Sequence, residues 1–508
     1  MILAPLVHPN ENLWLPRLAV LLVPMCLLAA PLPAQTTDQQ SASSPGLATL
    51  VEAQRRAIEE QKQTLEAQKR EIEELRKQFE ETQALLLSTH NRLEELSKTA
   101  PDATVGAAVQ ERLAKIEEAT RQIPDVPKDV VSAGDFPGSI RIPGSDVALR
   151  IGGLVRTTGV ATLGPLGTED RFVTSSIPVK GSPEAGKQPR FVMSSTPSRF
   201  NLDLRTPTGV GAMRAFIEGD FGGPSRTFRL RHAYGQWQDL VVGQTWSTFA
   251  DPDAEPDGID FEGLNAIALF RQPLMRYSHH LSDSRDLAIA VENPAPDITN
   301  ARGVSQIPDL VVRARWRPGE EAKGLLGMKV FRKNTHVSLA LLFRQISGEP
   351  LDQPNTTHVT SGYGVGLSGR LTAPWQQDKG QVTFSTYAGR GIGRYITDLG
   401  TLGGQDAVYD STSRAIEALP VYAWYFGYER TWTASLRSTF TYGIVIVDNL
   451  AVQPSNALRQ TNRASVNLTW SPIPRLDLVA EFLFGNRINK DRARGSSSQL
   501  QLGTSFRF

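Results

Sequence analysis

The sequence predicts an all-β transmembrane barrel of about 16 antiparallel strands, preceded by an N-terminal α-helical coiled coil. Three observations carry that reading. Val51, Ile58, Leu65, Ile72, Phe79, Leu86 and Leu93 recur at coiled-coil spacing. From Phe136 onward the period falls to two, so apolar and polar side chains take opposite faces of successive strands. The final segment, Gln499 to Phe508, sets Leu500, Leu502, Thr504, Phe506 and Phe508 against Gln499, Gln501, Gly503, Ser505 and Arg507. It ends on an aromatic residue, as the closing strands of bacterial outer-membrane barrels do.

At the N-terminus, Arg17 precedes the apolar stretch Leu18 to Ala30, and Leu32-Pro33-Ala34 offers a small residue before Gln35. Residues 1–34 therefore read as an export signal cleaved after Ala34. A membrane-anchor helix fits less well, because the stretch is short and interrupted by Pro24. Cys26 is the only cysteine, so the mature chain is expected to have neither thiol nor disulfide chemistry.

Residues 35–108 hold the coiled coil, which export would place in the periplasm. With the apolar repeat at the a positions, the d positions are Gln54, Gln61, Gln68, Leu75, Thr82, Thr89 and Leu96. A half-polar seam weakens association but fixes register and strand number, so oligomer specificity is its expected purpose. A single solvated helix rich in Glu and Lys is the plainer alternative. Val51 to Leu96 would span roughly 70 Å at about 1.5 Å per residue. Ser97 to Gly106 breaks the helix, and Val109, Leu113, Ile116, Thr120 and Ile123 outline a short second one. With Pro124 to Asp135 this forms a helix-and-linker region, residues 109–135.

The barrel is assigned to residues 136–508. Phe200, Leu202 and Leu204 alternate with Arg199, Asn201, Asp203 and Arg205; Leu310, Val312, Ala314 and Trp316 alternate with Val311, Arg313, Arg315 and Arg317. A soluble sandwich alternates too, with its apolar face inward. The export signal, the strand length and aromatics near strand ends, such as Trp424, Tyr425, Tyr428 and Trp432, favour a membrane. About 17 segments qualify as strands, and the even-number rule for bacterial barrels reduces them to about 16. The ambiguous one lies near Ile140 to Thr158, where the closing strand is expected to pair, with Phe506 and Phe508 toward lipid and Arg507 toward the lumen. Gly164 to Pro189, Pro294 to Pro308 and Thr397 to Arg414 read as extracellular loops.

Charge limits the function classes. Lys and Arg number 54 against 53 Asp and Glu, so no net field for nucleic acid exists and any electrostatic function must come from local segregation. One such segregation follows Phe249: Asp251, Asp253, Glu255, Asp257, Asp260 and Glu262 precede Arg271 with no basic residue between. This segment suits a loop folded into the lumen as a constriction. Its carboxylates would face a pore wall of Arg199, Arg205, Arg229, Arg231, Arg313, Arg315 and Arg317. Guanidinium groups stay charged and present a planar fork, so such a wall favours anions. The plainer alternative is that these arginines form solvated ion pairs with Asp203, Glu218 and Asp220. Calcium binding by Asp251, Asp253, Glu255 and Asp257 is a minor option; no metal site and no cofactor is expected.

Several blocks resemble one family. Gly138-Ser-Ile-Arg-Ile-Pro-Gly-Ser-Asp-Val-Ala-Leu-Arg-Ile-Gly-Gly153, Arg229-Leu-Arg-His-Ala-Tyr-Gly235, Gly243-Gln-Thr-Trp-Ser-Thr-Phe249, Arg271-Gln-Pro273 and Arg276-Tyr277 are similar to the DcaP-like porin family. The resemblance covers the first half of the barrel and the helix ahead of it. It implies a trimeric, sixteen-stranded outer-membrane channel with a periplasmic coiled coil, taking up anionic solutes such as dicarboxylates.

Expected partners are therefore a second and third copy of the chain, the lipid bilayer, small anionic solutes, and peptidoglycan or periplasmic proteins at the coiled coil; nucleic acid is not among them. A phosphate-type anion porin is the nearest rival, although it calls for lysines where these strands carry arginine. A barrel-anchored tether to the cell wall is a second. An enzyme is not expected: His232, His279 and His280 are framed by no nucleophile motif, and adjacent His279 and His280 point to opposite strand faces.

Overall fold

The computed structural model describes residues 133–318, 335–373 and 380–508. The expected export signal, the coiled coil and nearly all of the linker lie outside the described residues.

Among the described residues, sixteen strands close into an antiparallel barrel. Its first half comprises β1 (Ala148–Thr162), β2 (Arg199–Thr208), β3 (Gly211–Asp220), β4 (Arg229–Trp237), β5 (Leu240–Trp246), β6 (Arg271–Ser282), β7 (Arg285–Glu292) and β8 (Asp309–Trp316). The second half comprises β9 (His336–Pro350), β10 (His358–Thr372), β11 (Gly380–Arg390) and β12 (Pro420–Thr431), then β13 (Leu436–Val447), β14 (Leu458–Ile473), β15 (Leu476–Asn489) and β16 (Arg494–Arg507). A bilayer offers strand edges no hydrogen-bond partner, and closure satisfies them all. The seam pairs β16 with β1, Leu154 opposite Arg507 and Thr162 opposite Gln499. The ambiguity near Ile140 resolves here: β1 begins at Ala148, and Ile140–Arg141 is a separate short strand paired with its foot.

The alternation is inside out relative to a soluble sandwich. On β16, Leu500, Leu502 and Phe506 are exposed on the outer face while Gln499, Gln501 and Ser505 are buried on the inner one. Trp237, Trp316, Trp432 and Trp470 stand outward toward the short-turn end, and Tyr363 and Tyr422 toward the other, as interfacial girdles do. Tyr425 departs from the expected girdle. It faces inward, and its hydroxyl donates to the Ala254 carbonyl oxygen at 2.8 Å. Arg507 is paired with Asp477 at 2.7 Å.

Turns as short as residues 209–210, 238–239 and 474–475 join strands at the periplasmic end. Longer connections lie at the opposite, extracellular end: L1 (residues 163–198), L2 (221–228), L3 (247–270), L4 (293–308) and L6 (391–419). L4 and L6 share a small sheet in which Ile298–Thr299 pairs with Ala407–Asp410, which in turn pairs with Ala415–Ala418.

Two of these loops enter the barrel. Phe249, Leu264 and Ile267 of L3 join Ile392, Tyr395, Ile396 and Leu399 of L6 in one buried cluster against Val311, Leu342, Val421 and Val445 of the inner wall. Full burial of each such side chain contributes roughly 1.5–3 kcal/mol, enough to hold both loops inside. The start of the Thr397 to Arg414 segment was expected to be extracellular. Its short helix, Thr397–Leu402, instead packs behind L3: Thr397 donates its N–H to the Ile267 carbonyl at 3.0 Å, and Asp398 to that of Asn265 at 3.2 Å.

Candidate functional site

L3 crosses the lumen without a sheet partner, so its backbone N–H groups need acceptors from the wall. Three wall carboxylates supply them. Glu292 on β7 accepts from the Thr248 N–H at 2.6 Å, Glu429 on β12 from that of Asp257 at 2.7 Å, and Glu481 on β15 from those of Ile259 and Asp260 at 2.7 and 3.2 Å. The loop's own carboxylates are held in turn: Asp257 by Arg437 at 2.8 Å, and Asp260 by Arg463 at 2.9 Å.

The loop root is the most heavily fastened point. Asp251 takes Arg315 at 2.6 Å, His336 Nε2 at 2.8 Å and Ser368 Oγ at 2.6 Å. Burial opposes its ionisation, but His336, Arg315 and Ser368 outweigh burial and hold the carboxyl well below the usual carboxylate range. Arg315 also reaches Asp253 at 2.5 Å. Further along, Glu262 accepts from Thr401 at 2.7 Å and lies 3.8 Å from Arg171 of L1.

Beside L3 a cavity of about 860 Å³ remains open, lined on one side by arginines of β1, β2, β4 and β6. Arg156, Arg199 and Arg271 line it without forming an ion pair among the described residues, and the Nε atoms of Arg156 and Arg199 have no hydrogen-bond partner. The Arg271 guanidinium lies 4.4 Å over the Trp246 ring. Glu255 of L3 lines the same cavity and likewise makes no ion pair among the described residues. Burial raises its carboxyl above the ordinary value, against the pull of Arg199, Arg231, Arg156 and Arg271. The gap thus sets unpaired guanidinium groups against a partly acidic loop.

The expected wall is only partly at this gap. Arg199, Arg229 and Arg231 line the cavity. Arg229 is tied to Asp220 at 2.8 Å, and Arg231 to Asp220 at 2.6 Å and Glu218 at 3.1 Å, the plainer alternative for both. Arg313 donates to the Ala250 carbonyl at 3.2 Å and, with Arg315, serves the loop root. Arg205 sits near the periplasmic end on Asp203 at 2.9 Å. Arg317 is exposed beyond the end of β8 and pairs with Asp286, outside the constriction. Arg156 and Arg271 were missed. Val155–Arg156 shows the right alternation, but nothing local marks Arg156 as unpaired.

Of the carboxylates in the calcium option, Asp251 is engaged by Arg315 and His336, and Asp257 by Arg437. Among the described residues no three His, Cys, Asp or Glu side chains come together as a metal site. His232 is buried against Trp246 and shares a hydrogen bond with Thr245 Oγ1 at 3.1 Å. His279 is exposed beside Tyr277, and His280 pairs with Asp286 at 2.5 Å. His336, which fastens L3, went unremarked in the sequence.

With barrel, inward loops and cavity in place, comparison with known proteins is decisive. The model of the DcaP outer membrane protein family matches residues 169–508. The chain belongs to the DcaP outer membrane protein family. Among solved structures, the outer membrane channel DcaP of Acinetobacter baumannii is similar at 20% identity and a TM-score of 0.62, over 74% of this chain and 100% of that one. The likeness is one of fold. The anion-selective porin from Comamonas acidovorans aligns at 10% identity and a TM-score of 0.47, over 71% of this chain and 100% of that chain. No curated protein matches. DcaP membership makes this barrel an outer-membrane channel, and the arginine-lined gap beside L3 lies within it.

Proposed function

We propose that this DcaP-family channel is a passive porin preferring small anionic solutes, dicarboxylates among them, and that it works as a homotrimer. The observation that carries the preference is the set of Arg156, Arg199 and Arg271, which line the gap without carboxylate partners among the described residues. Arginine keeps its charge at every physiological pH, and a low-dielectric constriction focuses the potential of like charges. Glu255 on the facing loop supplies the opposite pole, so the field across the gap orients polar solutes as they pass. The cavity lining contains no lysine among the described residues, which favours this reading over a phosphate-type porin.

One sector of the wall is low. β5 has 7 residues, fewer than the roughly 9–11 that a tilted strand needs to cross a bilayer. Its outer face, with Leu230, Trp237 and Val242 nearby, is apolar and exposed. Neighbouring copies of the chain would cover this sector. A coiled coil over residues 35–108, following an export signal at 1–34 and preceding the linker at 109–135, would hold the copies together in the periplasm and could meet peptidoglycan or periplasmic proteins there.

Reversal potential in a KCl gradient across a planar bilayer tests the preference: a potential indicating anion preference is expected, and cation preference overturns the proposal. Deleting residues 35–135 separates a channel from a wall tether. The channel should still conduct once assembled, whereas a tether loses its purpose.

A further inference from the structure

Below the constriction, at the periplasmic end, a second cluster of arginines gathers on one carboxylate. Asp203 is fully buried; its Oδ1 accepts from Arg205 Nε at 3.2 Å and Arg214 Nε at 2.8 Å, and its Oδ2 from Arg205 Nη2 at 2.9 Å and Arg214 Nη2 at 3.1 Å. Arg150 reaches the same Oδ2 at 3.4 Å. Strand alternation puts all four on the inner face, since Ile151, Phe200 and Met213 stand outward on the same three strands. The guanidinium groups are partly open to solvent, with side-chain exposures of 40% for Arg150, 42% for Arg205 and 28% for Arg214.

Three cations on one anion leave a surplus of positive charge, and several N–H groups are not consumed by Asp203. Aromatic rings fix the planes. Phe136, from the segment that precedes the barrel, lies 4.2 Å from the Arg205 guanidinium and 5.8 Å from that of Arg150, while Phe216 lies 5.1 Å from that of Arg214. The Phe136 segment is itself a built hook: Gly134 donates to the Ser139 carbonyl at 2.9 Å, Ser139 Oγ to that of Phe136 at 2.6 Å, and Arg141 pairs with Asp135 at 2.6 Å. None of Arg150, Arg205 and Arg214 belongs to the lining of the constriction cavity.

We propose that Arg150, Arg205 and Arg214, arranged around Asp203 and covered by Phe136, form a second anion site at the periplasmic mouth, suited to small doubly charged oxyanions. It rests on the anion-channel reading above and adds a station to it: an anion released from the gap beside L3 is received at the mouth before it leaves. The surplus of charge favours a dianion over chloride, and the forked donors match carboxylate, sulfate or phosphate oxygens.

The test is the full-length channel in planar bilayers carrying chloride current, with sulfate added to one side at a time. Orientation is read by streptavidin capture of a biotin on Arg492→Cys in the extracellular turn after β15. Sulfate on the periplasmic side should reduce the current at lower concentration than on the extracellular side. Arg205→Gln leaves Arg214 forked on Asp203, so the fold is kept; it should weaken the periplasmic effect by about fivefold, while Asp203→Asn should strengthen it by a similar factor. Reversal potential separates the two readings. Wild-type cation preference overturns the anion channel itself, whereas an anion-selective wild type whose sulfate effect is equal from both sides, or is unmoved by either variant, overturns the second site alone.

Discussion

Arg315 and Asp251, 64 positions apart in the chain, meet at 2.6 Å where L3 leaves the wall, Asp251 buried and Arg315 partly so. The pair is the root of a clamp that His336 and Ser368 complete, so the position of the constriction depends on a side chain two strands away. Asp251→Ala should release that root. It leaves His336 and Ser368 without their shared acceptor and Arg315 with Asp253 alone, and each buried donor left unsatisfied costs about 1–3 kcal/mol. The expected result is a lower unfolding temperature for the assembled barrel and noisier single-channel current. Unchanged stability and a quiet open level would mean that the apolar packing of Phe249 and Ile267 holds the loop by itself.

Selectivity should follow the unpaired arginines rather than arginine content. Replacing Arg156, Arg199 and Arg271 together by Gln should move the reversal potential toward cations while conductance persists. Arg317→Gln should leave it where it was, since Arg317 pairs with Asp286 at the end of β8 and does not line the cavity beside L3. Equal effects of the two replacements would show that net charge, not placement, sets the preference.

Two loop carboxylates give the selectivity a pH dependence. Burial raises both Glu255 and Glu262, so each takes up its proton above the ordinary glutamate value of about 4.3. As pH falls through those raised values, negative charge leaves L3 while the facing Arg156, Arg199, Arg231 and Arg271, and Arg171 beside Glu262, stay charged. Anion preference should therefore increase on acidification. Stability moves in the same sense: a raised carboxyl contributes fully below its unfolded value, and the contribution is lost as pH rises through the folded value. Reversal potentials measured from about pH 8 down to about pH 5 check the sign, and Glu255→Gln should flatten the curve. A preference that weakens on acidification contradicts this account.

The barrel was legible because period-two alternation is a local property: Leu500 and Gln501 declare their faces without reference to any other strand. The strand count was recoverable because the ambiguous Ile140 segment could only be a foot or a strand. What the sequence hid depends on partners set by register between distant strands. Arg231 and Arg199 look alike locally, yet one is tied to Glu218 and Asp220 on β3 and the other makes no ion pair among the described residues. L6 was missed for a related reason. Its Gly and Asp content marks an irregular segment, whereas Ile392, Tyr395 and Leu399 take their place in the lumen only because L3 offers Phe249 and Ile267 to pack on.

Glu481 offers the sharpest separation between fastening by charge and fastening by packing. Its carboxylate accepts two consecutive L3 amides, Ile259 at 2.7 Å and Asp260 at 3.2 Å, at the far side of the lumen from the loop root. Hydrogen bonds to an ionised acceptor contribute on the order of 1.5–3 kcal/mol each, and L3 has no strand neighbour there to replace them. Glu481→Gln keeps an acceptor oxygen but loses the charge, so it should weaken the far attachment modestly. Glu481→Ala removes the acceptor and should free the Gly258 to Asp260 stretch, although Asp260 keeps Arg463 at 2.9 Å. Single-channel conductance should therefore rank Ala above Gln above wild type, as the far end of L3 comes away from the wall. Conductance that rises equally in both variants would assign the effect to the lost charge rather than to movement of the loop.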